Sequence, residues 1–178
     1  MDEPWEARLF AFLDDLEQQA GATFAAERDQ EVAERARAEY ARVVLAARLM
    51  ASVERDVTLT VDGVGPVSGR LRRVADGWCL VVASTGSWIV RLDAVALVRG
   101  GAATAVPPEA WPATARLGLG SALRRLTGER CQIHPRRGTP YEARLGRVGA
   151  DFVEAVVGAD PAPVLIAFSG LAAVQQRG

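Results

Sequence analysis

The feature that most constrains the fold of this chain is a pattern that occurs twice, 74 residues apart. The stretch GRLRRVADGW starts at Gly69, and the stretch ARLGRVGADF starts at Ala143. In both, R-L-x-R-V is followed by three mostly small residues and then by a large aromatic residue. The offset of 74 holds without a gap from residue 49 to residue 82 and becomes 76 afterwards. The pattern indicates a tandem repeat in which one loop of the second unit is two residues longer.

The residues that match across the repeat are apolar and fall at interior strand positions. The matched pairs include Leu49 with Leu123, Leu59 with Ile133, Leu71 with Leu145, Trp78 with Phe152 and Val98 with Val174. Such matches in one register are hard to obtain by chance. We therefore expect the two units to fold alike, with Leu71 and Trp78 in one core and their counterparts in the other.

The segment from residue 56 to residue 99 shows the two-residue alternation of β-strands. The run DVTLTVDG turns three apolar residues inward and ends at an Asp-Gly turn signal. The following run, PVSGRLRRV, continues the alternation and places Arg73 on the inner face. Five short strands in about 45 residues, separated by tight turns, are typical of a small barrel. Each unit is predicted to be a short helix followed by five strands.

Residues 4 to 52 have the apolar spacing of a helix, with a possible break at Gly21. The helix could be continuous, or it could fold back near Gly21 as a hairpin. An unbroken helix would be roughly 70 Å long and could not bury its apolar stripe on one small domain. We therefore expect self-association through this arm, with a dimer favoured. The candidate oligomerisation residues are Leu9, Phe12, Leu13, Leu16 and Phe24.

The near-zero net charge conceals an uneven distribution of charge along the chain. Residues 1–40 carry eleven acids and four bases, a net charge of −7, and residues 41–178 carry eleven acids and seventeen bases, a net charge of +6. Every base is arginine. An acidic helical arm is thus joined to a mildly basic body, and the arm is either a solvated surface or docks on a basic partner or on its own body.

Several motifs resemble the Sm-like family, whose members are small SH3-like barrels that include RNA chaperones. The family pattern V-x-L followed by G-x-L is matched at residues 57–59 and 69–71. Its second pattern, I-R-G-D-N-V-x-x-I, is approached at residues 90–98 and again at residues 166–174. The resemblance implies an α+β chain in which a long N-terminal helix or helical hairpin precedes two tandem five-stranded Sm-like barrels.

The resemblance divides the chain into four segments. The N-terminal helical arm covers residues 1–46, the first barrel 47–100, a Gly/Ala/Pro-rich linker 101–118, and the second barrel 119–176. The positions where the family keeps its nucleotide-binding Asp and Asn are occupied by other residues. These are Ala75 and Cys79 in the first unit, and Gly149 and Val153 in the second. The resemblance therefore implies the family's fold without its usual base-binding pocket.

No residue constellation in the sequence indicates catalysis, and we expect a non-enzyme without a metal or cofactor. The only histidine, His134, is expected to be a packing or surface residue at a strand end. Cys79 and Cys131 fall at strand positions and are expected to be buried as small apolar residues. The acidic N-terminus resembles no signal peptide, and no run of 18 apolar residues occurs. The prediction is a cytoplasmic protein that does not enter a membrane.

Two functions are compatible with these features. The preferred hypothesis is an assembly or adaptor protein that self-associates through its arm and presents two barrels to protein partners. The alternative is binding of RNA or another nucleic acid by the basic second unit, through salt-dependent contacts to phosphate. The candidate nucleic-acid-binding residues are Arg124, Arg125, Arg136, Arg137 and Arg91.

Overall fold

The computed structural model describes residues 5–177, and its first element is the helix α1, Trp5–Tyr40. The first four residues of the predicted arm lie outside the described residues. The helix continues through Gly21, so neither a break nor a hairpin occurs there. Glycine costs about 1 kcal/mol in a helix interior, which the alanine-rich sequence around it tolerates.

The predicted helix is interrupted after Tyr40 instead. The backbone amides of Arg42 and Val43 bond to carbonyls three residues back, which closes the last turn. Val44 is extended, and a second helix, α2, Leu45–Met50, begins after it. Two adjacent β-branched valines favour such an extended segment. The chain divides into two compact units between Val43 and Val44.

The second unit is built mainly of ten strands, and its two halves contain the same series of elements. The first half comprises α2, β1 (Asp56–Val61), β2 (Gly65–Ala75), β3 (Trp78–Ala83), β4 (Gly86–Arg91), a 3-10 turn (Leu92–Ala94) and β5 (Val95–Arg99). The second half comprises α3 (Leu119–Arg124), β6 (Arg130–Pro135), β7 (Tyr141–Val148), β8 (Phe152–Val157), β9 (Pro163–Ala167), a 3-10 turn (Phe168–Gly170) and β10 (Leu171–Gln176). Two further 3-10 turns, Pro108–Ala110 and Ala113–Arg116, lie in the connection between the halves.

The strands form one antiparallel sheet in the order β5-β1-β2-β3-β4-β10-β6-β7-β8-β9. Within each half the first strand lies between the second and the fifth, and the fourth lies at one edge. The halves are joined because β4 pairs with β10, with Val90 opposite Ala173 and Ile89 opposite Val174. We call this β4–β10 pairing the junction. The ten strands therefore belong to a single sheet and not to two separate ones.

The repeat extends to individual backbone hydrogen bonds. The amide of Glu54 donates to the Leu71 carbonyl at 2.7 Å, and 74 residues later the amide of Gly128 donates to the Leu145 carbonyl at 2.7 Å. Both donors have a positive φ, 67° at Glu54 and 87° at Gly128. The same left-handed turn thus connects helix to strand in both halves. Glycine adopts it freely, whereas Glu54 is held in it by the surrounding structure.

The predicted alternation holds in the first strand and, in the second, only as far as Leu71. Val57, Leu59 and Val61 are buried, as the sequence predicts. In β2 the pairing register shifts between Leu71 and Arg73, so the inward position passes to the next residue and Arg73 is exposed. The prediction of an inward Arg73 is wrong because a β-bulge changes the alternation.

The two cores share side chains across the junction. The second-half core, around Leu145, includes Trp78 and Ile89 from the first half. The first-half core, around Leu71, includes Ala172 and Ala173 from β10. The expectation that Trp78 fills the first core is therefore wrong. Its counterpart Phe152 is only half-buried, so the predicted equivalence of these two aromatic residues does not hold either.

The connection between the halves is held by hydrogen bonds at its two ends. The amide of Ala102 donates to the Ser52 hydroxyl at 2.8 Å, and the indole of Trp78 donates to the Leu117 carbonyl at 2.7 Å. Ala102 and Ala115 are buried. The segment predicted as a linker is thus packed against the first half at both ends.

Gly86, the first residue of β4, lies against β10, so the addition of a single methyl group there is expected to disturb the junction. Gly86 has φ +118°, and a Cβ there would overlap the Gln176 carbonyl oxygen of β10. Gly158, before β9, has φ +68°, and a Cβ there would meet nothing within 4 Å. Both Gly→Ala variants carry a conformational cost of about 1–2 kcal/mol, and only Gly86→Ala adds a clash. In chemical denaturation we expect Gly86→Ala to lose clearly more unfolding free energy, and equal losses would contradict the packing described.

Candidate interaction surfaces

A three-residue ionic cluster of Arg91, Asp93 and Arg136 connects the two halves. The Arg91 Nε donates to one Asp93 carboxylate oxygen at 2.9 Å, and Arg136 Nη2 lies 2.5 Å from the same oxygen. Arg91 also donates to the backbone oxygen of Phe168 in the second half. Since Arg91 and Asp93 belong to the first half and Arg136 to the second, the cluster connects the two halves.

The charge of Asp93 is stabilised by this arrangement. Partial burial acts to raise the pKa of the Asp93 carboxyl, but the hydrogen bond and charge of Arg91, with the charge of Arg136, hold that pKa below its usual value. The resulting stabilisation is present above about pH 4, the pKa of an unfolded aspartate. It is lost as the pH falls through the lower pKa of the folded state.

His134 lies on β6 and is buried. Its ring centroid is 4.8 Å from that of Trp88 on β4, and neither ring nitrogen has a hydrogen-bond partner among the described residues. Burial lowers the pKa of His134, and the nearby charge of Arg177 lowers it further. The Gln175 amide opposes the shift, although no hydrogen bond of good geometry joins it to the ring. The predicted packing role of His134 therefore fits its burial, and its ring is neutral at pH 7.

The five arginines predicted to bind nucleic acid do not form one uniform surface. Arg91 and Arg136 both pair with Asp93, whose single negative charge offsets one of their two positive charges. Arg124, Arg125 and Arg137 are exposed, and no ion pair of theirs occurs among the described residues. Two of the five candidates thus have a structural role that the sequence did not indicate.

Two cavities lie beside these arginines. One, of about 770 Å³, is lined by Arg136, Arg137 and the apolar side chains of β9. The other, of about 420 Å³, is lined by Arg73, Arg125, Trp78 and apolar residues of β3, β4 and α3. No residue lines both cavities, so Arg125 and Arg137 face different depressions of the surface.

The candidate oligomerisation residues lie on one side of α1. At 100° per residue they span about 120° of arc, and we call this group the α1 apolar face. Its members, all exposed, are Leu9, Phe12, Leu13, Leu16 and Phe24. Averaged over all 36 residues of the helix, apolar side chains show almost no preference for one side. The apolar face is therefore restricted to the N-terminal part of the helix.

The two cysteines are buried as free thiols. Cys79 and Cys131 are buried, as predicted, and burial raises the pKa of Cys79 to about 12 and, together with the charge of Glu129, that of Cys131 to about 11. Both thiols therefore remain protonated at neutral pH. Within the described part of the chain no three His, Cys, Asp or Glu residues are grouped so that they could hold a metal ion.

None of the helices in the described residues is both long enough and apolar enough to cross a bilayer. Comparison of the sequence with protein-family models gave no match. Comparison with curated protein sequences also gave none.

Sequence reasoning missed the residues at the sheet edges and in the junction. Asp93 stands in a motif position of the resemblance, but its two arginine partners come together only through the strand order. Leu97 on β5 and Leu165 on β9 resemble ordinary strand residues in the sequence and are exposed in the structure. The local sequence carries no indication of which strands lie at an edge.

The burial of His134 predicts a specific loss of stability in weak acid. Because its folded pKa lies below the unfolded value of about 6.5, the unfolded chain takes up a proton first as the pH falls below that value. We expect the unfolding free energy to fall more steeply from pH 7 to pH 5 in the wild type than in His134→Phe, which keeps a ring beside Trp88. Urea denaturation at several pH values measures this, and parallel pH profiles for the two proteins would contradict it.

Proposed function

We propose that this chain is a non-enzymatic assembly or adaptor protein that self-associates through the α1 apolar face and presents its two sheet halves to protein partners in the cytoplasm. The observation that carries the proposal is the exposure of five large apolar side chains along one side of a 36-residue helix. Exposed apolar side chains in a contiguous group are typical of an interaction site. A second copy of the same helix offers a complementary surface, and a dimer is favoured.

We further propose that each half is a small Sm-like barrel. The strand order within each half, the bulge in its second strand and the 3-10 turn before its fifth strand support this assignment. A small barrel places loops at its two ends and leaves strand edges for partners. The two halves would then provide two related docking surfaces on one chain.

If the α1 apolar face forms the dimer interface, one charge introduced on that face should weaken self-association. A glutamate in place of Leu16 would bury two charges in the interface of a dimer, so we expect Leu16→Glu to weaken self-association at least about tenfold. Multi-angle light scattering of the full chain over about 1–100 µM measures this, since a mass between one and two copies gives the dissociation constant.

The matched control for this experiment is Gln18→Glu, which adds the same charge on the opposite side of α1. It should leave self-association unchanged. Equal weakening by both variants would show that net charge, and not the apolar face, controls the mass. A full chain whose mass is insensitive to Leu16→Glu at every concentration would overturn the proposal.

A second candidate function is nucleic-acid binding by the exposed arginines Arg124, Arg125 and Arg137. The observation that favours it is that these three side chains are exposed without an ion pair among the described residues, so their charge is available to phosphate. Arg91 and Arg136 are less suitable, because both already pair with Asp93.

This second candidate predicts a difference between two groups of arginines. Titration of labelled single-stranded RNA at low salt should give weaker binding, by about tenfold or more, for Arg124→Ala/Arg125→Ala/Arg137→Ala than for the wild type. The matched variant Arg70→Ala/Arg72→Ala/Arg147→Ala removes three arginines that have acidic partners, and its binding should change little. Equal loss in both variants, or no binding by the wild type, would remove nucleic-acid binding as a candidate.

A further inference from the structure

The cavity of about 420 Å³ lies between the two halves of the sheet, and we call it the inter-half cavity. Trp78, Leu80 and Ile89 contribute to its wall from the first half, and Ala122 and Leu126 contribute from the second. Cavities of roughly 300–1,000 Å³ accommodate small organic molecules. The inter-half cavity is therefore large enough for a ligand that contacts both halves at once.

The wall of the inter-half cavity is mainly apolar. The indole nitrogen of Trp78 donates its hydrogen to the Leu117 carbonyl at 2.7 Å, so the only donor of that side chain is already used. The Trp78 ring therefore offers a ligand apolar contact. The uncharged polar residues of the wall are Ser87, Ser121 and Gln176, and no aspartate or glutamate of the described residues lines the cavity.

Arg73 lines the cavity and carries a charge without an acidic partner. Its counterpart at the 74-residue offset, Arg147, pairs with Glu154, with 2.9 Å between Nε and Oε2. The counterpart of Glu154 is Leu80, which lies opposite Arg73 in the β2–β3 register. The first unit thus has the arginine of this pair but not the acid, and Arg73 forms no ion pair with a described residue.

Arg125 brings a second charge to the cavity. It follows α3, is exposed, and forms no ion pair with a described residue, whereas its counterpart after α2 is Ala51. The cavity therefore combines two unpaired guanidinium groups with an apolar wall. This composition is complementary to an anion joined to an apolar body, because a guanidinium group binds a carboxylate through paired hydrogen bonds.

We propose that the inter-half cavity binds a small organic acid, whose carboxylate contacts Arg73 and Arg125 and whose apolar body packs on Trp78 and Leu80. The carboxylate supplies the negative charge that Glu154 supplies in the second unit. An inorganic anion would leave the apolar wall uncovered, and a neutral apolar molecule would leave both charges unpaired. The site is separate from the α1 apolar face, and the inference depends neither on self-association nor on nucleic-acid binding.

Isothermal titration calorimetry of the full chain at low salt tests the proposal with two probes, decanoate and 2-naphthoate. Their bodies differ, so the pair distinguishes a chain-shaped ligand from a ring-shaped one. We expect saturable binding of one acid per chain for at least one probe. The corresponding neutral amide and inorganic phosphate should each bind at least about tenfold more weakly, since each lacks one of the two parts that the cavity contacts.

The arginine variants locate the site. Arg73→Gln/Arg125→Gln should weaken binding of the acid at least about tenfold. The matched control is Arg70→Gln/Arg147→Gln, which removes the same number of charges from arginines that already have acidic partners. The control should bind the acid as the wild type does. All four arginines are exposed, and circular dichroism verifies that both variants are folded.

A reciprocal exchange between the two units separates the proposal from general attraction of anions. Leu80→Glu should form the pair with Arg73 that Glu154 forms with Arg147, and so weaken binding at least about tenfold with both cavity arginines present. Glu154→Leu, the opposite exchange outside the cavity, should leave binding unchanged. If Leu80→Glu is unfolded, the arginine variants decide.

Four results would overturn the proposal. They are the absence of binding of both acids by the wild type, equally tight binding of the neutral amide, equal weakening in the two arginine double variants, and undiminished binding by a folded Leu80→Glu chain.

Discussion

The pairing of β4 with β10 is the interaction on which the rest of the body depends. It converts two five-stranded halves into one sheet, and it lets each half complete the core of the other. Trp78 and Ile89 pack in the second-half core, while Ala172 and Ala173 pack in the first. Separating the halves would expose these apolar side chains to water, at a cost of about 25 cal/mol per Å². The repeat units are therefore not independent domains energetically, even though each has the full set of strands.

The same pairing decides the role of several charged and polar residues. Arg136 would be a free surface cation if the halves were separate, and the contact between the halves places it on Asp93, which Arg91 of the first half also contacts. Partly buried charges need such partners because an unpaired charge is costly to remove from water. His134 has no such charged partner. Its ring packs against Trp88, and its lowered pKa keeps the ring uncharged at neutral pH. The basic character of the second unit is therefore in part structural.

The sequence alone allowed the repeat, the sheet-rich body and the burial of Cys79 and Cys131 to be predicted, because alternation and residue type determine which face of a strand is buried. It did not allow three other features to be predicted. Arg73 is exposed because a bulge shifts the register. The helix α1 ends at Tyr40, where a local turn is followed by Val43 and Val44. The junction could not be predicted because the β4–β10 hydrogen bonds join backbone groups, which have the same chemistry in every residue.

The differences between the two units are as informative as their similarities. Core pairs such as Leu71 and Leu145 keep their type and their burial, since each must fill a similar interior. Positions of the junction instead differ in type between the units, as at Arg91, where the second unit has Ala167. Two copies of one structural unit need different residues only where their surroundings differ. The outer edges of the sheet therefore keep apolar residues without the charged residues that connect the two halves.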